Sequence, residues 1–194
     1  MTAVTPRGAR ETVPSARVGA TTPDAASPPL APARLGRRLG AAIYEWLLLT
    51  ALAFITQFAL LPLASPGHAA GASALSIPST PVRTFLFCAQ FAVFALYFTW
   101  FWTQGRRTLA QKTWSLRVVT AAGAPLDVKE ALLRYFALWV GPALALAAWQ
   151  PLAAVGHAGY AVIPLAFNFL WAFADRQRLF LHDRIAGTRI VVSQ

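Results

Sequence analysis

Four long apolar segments constrain this chain more than any other feature. They cover about residues 39–63, 82–103, 132–150 and 156–174, and each approaches the roughly 20 residues that a helix needs to cross about 30 Å of hydrocarbon. Backbone amides find no water partner at that depth, so these segments can only be helical there. The sequence therefore predicts an all-α membrane protein built as a four-helix transmembrane bundle.

Polar and helix-breaking residues interrupt these segments. Gly141-Pro142 and Pro164 should kink the third and fourth helices, because proline removes a backbone donor. Only a short uncharged link separates those two helices, which makes them the least distinct pair. Gln57 and Gln90 lie within the first and second segments, where we expect them to hydrogen-bond between helices.

Charge placement predicts the orientation of the bundle. Of the 17 basic residues, 16 lie in the N-terminal region, between residues 106 and 134, or beyond residue 175, whereas the links 64–81 and 150–158 carry no charged side chain. By the positive-inside rule, both termini and the central loop face the cytoplasm. The expected partners are the lipid bilayer and its anionic headgroups at that face, and we do not expect nucleic acid to bind.

Outside the apolar segments, the chain divides into a tail and short polar connections. Residues 1–33 hold six prolines and no apolar periodicity, so we predict a disordered tail, followed by a membrane domain over residues 34–194. Thr108 to Leu116 is either a short amphipathic helix on the membrane surface, with Lys112 and Arg117 toward the headgroups, or a plain polar connector.

Two β-branched stretches and one capping pattern complete the prediction. LRVVT at 116–120 and TRIVV at 188–192 favour a two-stranded pairing on the cytoplasmic side. Asp127, with Glu130 three residues later, is typical of a capping box at the start of the third membrane helix.

Several of these features together resemble the RDD family of bacterial membrane proteins. The resemblance covers about residues 34–193 and rests on the RR pair with an acid seven residues later, on GRRTLAQKTWSLRVV followed by LLRYF, and on LHDRIAGTRIVV. The residues that match the family's motifs are Arg37, Arg38, Glu45, Thr108, Lys112, Arg117, His182, Asp183, Gly187 and Thr188.

The match departs from the family's pattern at three positions. Glu45 stands where the family has an aspartate, and Ala110 and Ser115 stand where glycines are usual. The resemblance implies a small integral protein of the bacterial inner membrane, of a family for which transport of unidentified ligands has been suggested.

Glu45 is the residue that most needs an explanation. It lies about 9 Å inside the first segment at 1.5 Å per residue, where an ionised carboxylate costs at least a few kcal/mol unless it is paired or hydrated. Arg38 lies two turns earlier on the same helical face, so we expect it to pair with Glu45. Arg37 is one residue off that face and better placed to meet lipid phosphates.

Depth along the helices places further polar residues near Glu45. Asn168 should lie level with it, and Arg134 just below. We therefore predict an intramembrane polar cluster of Arg38, Glu45, Arg134, Asn168 and Asp183. The cluster is either a salt-bridge network that only fixes helix packing or a site for a ligand or proton.

Other motifs indicate little chemistry. His182 and Asp183 lack the third group that a catalytic or zinc site needs, and no nucleophile elbow, phosphate loop or dinucleotide fingerprint is present. We therefore expect no enzyme, no metal and no cofactor. Two hypotheses remain: a small transporter or ion/proton-coupled carrier component, which would require a homo-oligomer, and a non-transporting scaffold or assembly factor with a basic cytoplasmic face.

Overall fold

The structure, a computed structural model, describes residues 1–2, 31–64 and 78–193. The predicted tail therefore lies almost wholly outside the described residues. The elements follow in chain order: α1 (Leu35–Ala64), α2 (Thr80–Trp102), α3 (Leu109–Thr113), β1 (Leu116–Thr120), α4 (Val128–Leu138), α5 (Val140–Ala154), a 3-10 helix (Ala158–Ala166), α6 (Phe167–Ala174), α7 (Leu181–Ile185) and β2 (Thr188–Val192). The described part of the chain is thus mostly helical, with one small sheet.

Three helical segments are long and apolar enough to cross a membrane. They are Leu35–Leu63, Thr80–Trp102 and Val128–Ala154, with 29, 23 and 27 residues. The fourth apolar segment, Ala158–Ala174, has 17 residues and falls short of the usual length of about 20. Three of the four predicted segments therefore have the helical length and the hydropathy that a membrane crossing needs. Their outward faces expose large apolar side chains, such as Phe54 on α1, as contact with lipid requires.

The third apolar segment breaks at Trp139, between α4 and α5. Pro142 has no N–H, so the carbonyl of Leu138, four residues earlier, lacks its helical donor. Asn168 of α6 supplies a replacement, because its Nδ2 donates to the carbonyl oxygens of Leu138 at 2.8 Å and Ala137 at 3.3 Å. The predicted interruption near Pro142 is therefore present, and a side chain from the next helix satisfies the carbonyl it frees.

Gly141 allows α5 and the 3-10 helix to approach closely. A Cβ at this position would lie 2.9 Å from the carbonyl oxygen of Pro164 and 3.0 Å from that of Leu165. Both neighbours are backbone atoms that cannot rotate away, so the packing of this helical hairpin requires glycine.

The two β-branched stretches pair as predicted. β1 and β2 run antiparallel, from Leu116 opposite Val192 to Thr120 opposite Thr188. Residues 31–33 add to the other edge of β2, where Ala33 N donates to the carbonyl oxygen of Ile190 at 3.1 Å. These three residues, which the sequence assigned to the tail, are therefore packed against the sheet.

The connection from α2 to β1 is more compact than predicted. α3 ends at Thr113, and Leu116 is the first residue of β1 rather than the end of an amphipathic helix. Ser115 has a φ of +49°, a left-handed conformation that ends the helix and favours glycine. A further prediction is confirmed at α4, where Asp127 and Glu130 form a complete capping box.

Two features hold the helices together. Gln57 Nε2 donates to Gln90 Oε1 at 3.2 Å, which confirms the predicted hydrogen bond between α1 and α2. A buried apolar cluster joins α1, α2, β1 and α4 through Leu49, Phe98, Trp102, Val118, Leu126, Ala131 and Tyr135. This core lies beside the polar residues described next.

Candidate functional site

A buried aspartate joins two arginines from distant parts of the chain. Asp183 of α7 accepts a hydrogen bond at Oδ2 from Arg38 Nη2 of α1 at 2.5 Å, and one at Oδ1 from Arg134 Nη1 of α4. The side chains of Arg38 and Arg134 are only 4% and 3% exposed. Arg134 Nη1 also donates to Thr188 Oγ1 of β2 at 2.6 Å. This ionic triad of Arg38, Asp183 and Arg134 ties four elements together.

Aromatic rings and a backbone carbonyl complete the surroundings of the two arginines. The guanidinium of Arg38 lies 4.2 Å from the ring centroid of Phe180, and that of Arg134 lies 4.8 Å from the ring of Trp102. Arg38 Nη1 donates to the carbonyl oxygen of Arg178 at 2.6 Å. Buried guanidinium groups are stable only when such partners replace water, so both side chains are held in place.

The same charges set the protonation of two groups in α7. Burial would raise the pKa of Asp183, but Arg134 and Arg38 outweigh it and hold that pKa below its usual value. Burial and the two nearby arginines together lower the pKa of His182 to about 3, against the opposing attraction of Asp183. At neutral pH, Asp183 is therefore ionised and His182 is neutral.

Glu45 lies apart from the triad. Its Oε1 accepts a hydrogen bond from the hydroxyl of Tyr97 at 2.7 Å, and its Oε2 accepts one from Thr108 Oγ1 at 2.5 Å. No basic nitrogen of the described residues lies within 4.0 Å of it. The expected pair between Arg38 and Glu45 is wrong, because Asp183, 145 residues away along the chain, occupies the Arg38 guanidinium.

Thr108 connects Glu45 to the cap of α3. Its Oγ1 accepts from Gln111 N at 3.2 Å while its own hydrogen is donated to Glu45. Both carboxyl oxygens of Glu45 therefore have a hydroxyl group as hydrogen-bond partner. Sequence reasoning missed Tyr97 as a partner, and the only signal was a phenol near the end of an apolar helix, where its polar tip needs a hydrogen bond.

Four of the five predicted cluster residues line one cavity of about 290 Å³: Arg38, Glu45, Arg134 and Asn168. The fifth, Asp183, lines a separate groove. Most of the cavity wall is apolar or aromatic, and includes Leu49, Phe94, Phe98, Trp102, Tyr135 and Trp139. The volume lies at the lower edge of the range for small-ligand sites.

Several buried polar atoms at this cavity have no hydrogen-bond partner among the described residues. They are Arg38 Nε, Arg134 Nε, Asn168 Oδ1 and His182 Nδ1, and all four residues line the cavity and are more than nine-tenths buried. Unpartnered polar atoms are rare in protein interiors and usually bind water or a ligand. The four residues therefore bring buried polar groups next to an otherwise mostly apolar cavity.

Four further motif residues, Arg37, Lys112, Arg117 and Gly187, lie outside the triad and do not line the cavity. Arg37 Nη2 donates to the carbonyl oxygen of Trp114 at 2.6 Å, rather than lying free for lipid phosphates as expected. Gly187, with a φ of +62°, makes the turn from α7 to β2. Lys112 is exposed on α3, and Arg117 lies half-buried on β1. Within the described residues, no three His, Cys, Asp or Glu side chains are placed to hold a metal ion.

Comparison with known proteins gives one match. The family model described as RDD family matches residues 32–187, which include the triad, Glu45 and all the cavity-lining residues except Ile190. No curated protein and no solved structure was found to match the chain.

Proposed function

We propose that this chain, which belongs to the RDD family, is a small membrane carrier component in which Glu45 exchanges a proton or another cation with the intramembrane cavity. The observation that carries this proposal is the position of Glu45. Its carboxylate lies in an apolar helix, lines the cavity and has no basic partner among the described residues.

The way the charges pair favours exchange at Glu45. An ion pair with Arg38 would neutralise the carboxylate permanently, but Arg38 is bound to Asp183 instead. Two hydroxyl groups satisfy the carboxylate oxygens without cancelling the charge. An uncompensated charge at this depth is stabilised when a cation or proton joins it, and the adjoining cavity gives such an ion room to arrive.

Topology is part of the proposal. Nine residues of 3-10 helix at about 2.0 Å each, followed by eight α-helical residues at about 1.5 Å, span about 30 Å, so the fourth segment also reaches across the bilayer. Four crossings and the positive-inside distribution favour cytoplasmic termini in a bacterial inner membrane. Because four helices are few for a carrier, the working form is a homo-oligomer.

A specific observation favours a second function. The triad joins α1, α4, α7 and β2 through buried charges, which is what a rigid scaffold or assembly factor also needs. In that case the cavity is a by-product of packing, and the basic face recruits lipid or a partner protein.

Ion flux separates the two functions. The full chain is reconstituted in sealed proteoliposomes, and proton or monovalent-cation flux is followed with a trapped pH-sensitive dye under an imposed gradient. The proposal predicts flux that disappears in Glu45→Gln and persists in Glu130→Gln, a matched control that keeps the capping acceptor of α4. If wild-type vesicles show no flux, or if Glu45→Gln and Arg38→Gln only lower thermal stability, the scaffold replaces the carrier.

A further inference from the structure

A groove lined by arginines borders the intramembrane cavity, with which it shares Arg38 and Ile190. It has a volume of about 980 Å³ and runs between the start of α1, the loop from α6 to α7, and the start of β2. Five arginines line it in addition to Arg38: Arg34, Arg176, Arg178, Arg184 and Arg189.

These five side chains are not used elsewhere in the described structure. None of them forms an ion pair or a side-chain hydrogen bond with a described residue. The one carboxylate that lines the groove, Asp183, is fully buried and already bound by Arg38 and Arg134. The arginines at the groove therefore outnumber the nearby acids, since among the described residues only Asp183 lines the groove and Asp175 lies in the adjoining loop, and such a surface attracts anions.

The start of α1 adds further donors. Leu35 and Gly36 line the groove, and the first N–H groups of a helix have no acceptor within it. The first turn of α1 contains no acidic residue. Arg38 also lines the groove, is buried and has an unpartnered Nε. Helix amides and arginines together form the donor set that phosphate groups prefer.

The loop from α6 to α7, which forms one wall of the groove, has a backbone conformation fixed by hydrogen bonds. Arg178 has a φ of +53°, a conformation that is costly for a residue with a side chain. It is held there because its carbonyl oxygen accepts from Arg38 Nη1, and because Asp175 Oδ2 accepts from the backbone N–H groups of Gln177 and Leu179, both at 3.0 Å. The arginines of this loop are thus presented by a fixed backbone.

The position of the groove indicates the source of the anion. It lies where the first membrane helix begins at Leu35 and just beyond Ala174, where α6 ends. Ends of apolar helices lie at the level of lipid headgroups. We propose that this groove binds the phosphate-bearing headgroup of an anionic phospholipid. This binding site is independent of ion exchange at Glu45.

The test uses the full chain in a neutral detergent, titrated with short-chain phosphatidylglycerol or phosphatidylcholine and followed by native mass spectrometry and thermal unfolding. Phosphatidylglycerol should bind and raise the unfolding temperature, and phosphatidylcholine should not. The double variant Arg176→Gln with Arg184→Gln changes two exposed side chains that have no partner among the described residues. It should weaken phosphatidylglycerol binding by roughly thirtyfold, since each of the two basic residues near a lipid surface contributes about fivefold to the affinity.

The matched control is Lys112→Gln with Lys129→Gln, which removes the same charge from two exposed positions outside the groove. It should change the affinity for phosphatidylglycerol by less than about threefold, because salt screens exposed charges that lie more than a Debye length from the bound headgroup. Equal losses in both double variants would overturn the site. Inorganic phosphate provides the second arm: if it protects the protein as well as phosphatidylglycerol at equal phosphate concentration, the anion is a soluble one and the lipid assignment is wrong.

Discussion

Replacing Asp183 with asparagine should destabilise the protein more than any other change of one carboxylate among the described residues. The substitution keeps the shape of the side chain but leaves two guanidinium groups, 4% and 3% exposed, without a counter-charge. Removing one partner of a buried ion pair usually costs about 3–5 kcal/mol. We expect a loss in this range in the free energy of unfolding.

Denaturation of the purified protein in detergent, followed by circular dichroism, measures this loss. Asp175→Asn is the matched control, because the amide oxygen can still accept from the two backbone N–H groups that Asp175 holds; it should cost less than about 1 kcal/mol. A cost for Asp183→Asn within 1 kcal/mol of this control would refute the idea that the triad holds the fold together.

A triple replacement tests why the loss occurs. One explanation assigns the cost of Asp183→Asn to the two buried guanidinium groups that lose their counter-ion. In that case, Arg38→Met and Arg134→Met combined with Asp183→Leu should recover most of the lost free energy of unfolding, since apolar side chains of similar volume often replace buried ion pairs without loss. A triple variant less stable than Asp183→Asn alone would show that the hydrogen-bond geometry itself, rather than charge balance, stabilises the fold.

Three further predictions concern other positions. The unfolded state binds a proton at His182 below about pH 6.5, and the folded state does not until about pH 3. The free energy of unfolding should therefore decrease as the pH is lowered through that window, by up to about 1.4 kcal/mol per pH unit. His182→Phe should reduce the difference in unfolding free energy between pH 7 and pH 4.5, and an unchanged difference would contradict the buried neutral imidazole. Ser115→Gly should raise the free energy of unfolding by about 1 kcal/mol by relieving its positive φ, and a lowered melting temperature would count against this. Gly141→Ala should lower the free energy of unfolding by about 1–3 kcal/mol, because its Cβ meets two backbone carbonyl oxygens. Gly159→Ala, with open space around the added Cβ, should leave stability almost unchanged. Equal melting temperatures for the two variants would rule out the close approach at Gly141.

Local patterns in the sequence predicted local structure well. The capping box at Asp127 and the proline interruption near Pro142 each depend on a few neighbouring residues. The β-branched residues of 116–120 and 188–192 likewise indicated each strand locally, although the pairing itself joins distant parts of the chain. The hydrogen bond between Gln57 and Gln90 was also predictable, because two amides in lipid have few other partners.

The partners of buried charges were not predictable in the same way. Arg38 and Glu45 are two turns apart on one helix, so the sequence favoured a local pair, yet the acid that binds Arg38 lies 145 residues away. Tertiary packing decided this, because Asp183 is shared by two arginines and is fully buried, whereas Glu45 reaches Tyr97 and Thr108 instead. Asn168 lines the same cavity as Glu45, but its hydrogen bond to the carbonyl of Leu138 follows from a proline on another helix.

The protonation state of Glu45 shows whether this carboxyl group exchanges a proton for a cation. Infrared difference spectra of the reconstituted full chain, recorded while the monovalent-cation concentration is stepped at constant pH, report whether a carboxyl group gains or loses its proton. Ion exchange at Glu45 predicts a carboxyl stretching band that responds to the cation and is absent in Glu45→Gln but present in Glu130→Gln. Spectra in which no cation-dependent carboxyl band is lost on replacing Glu45 would contradict it.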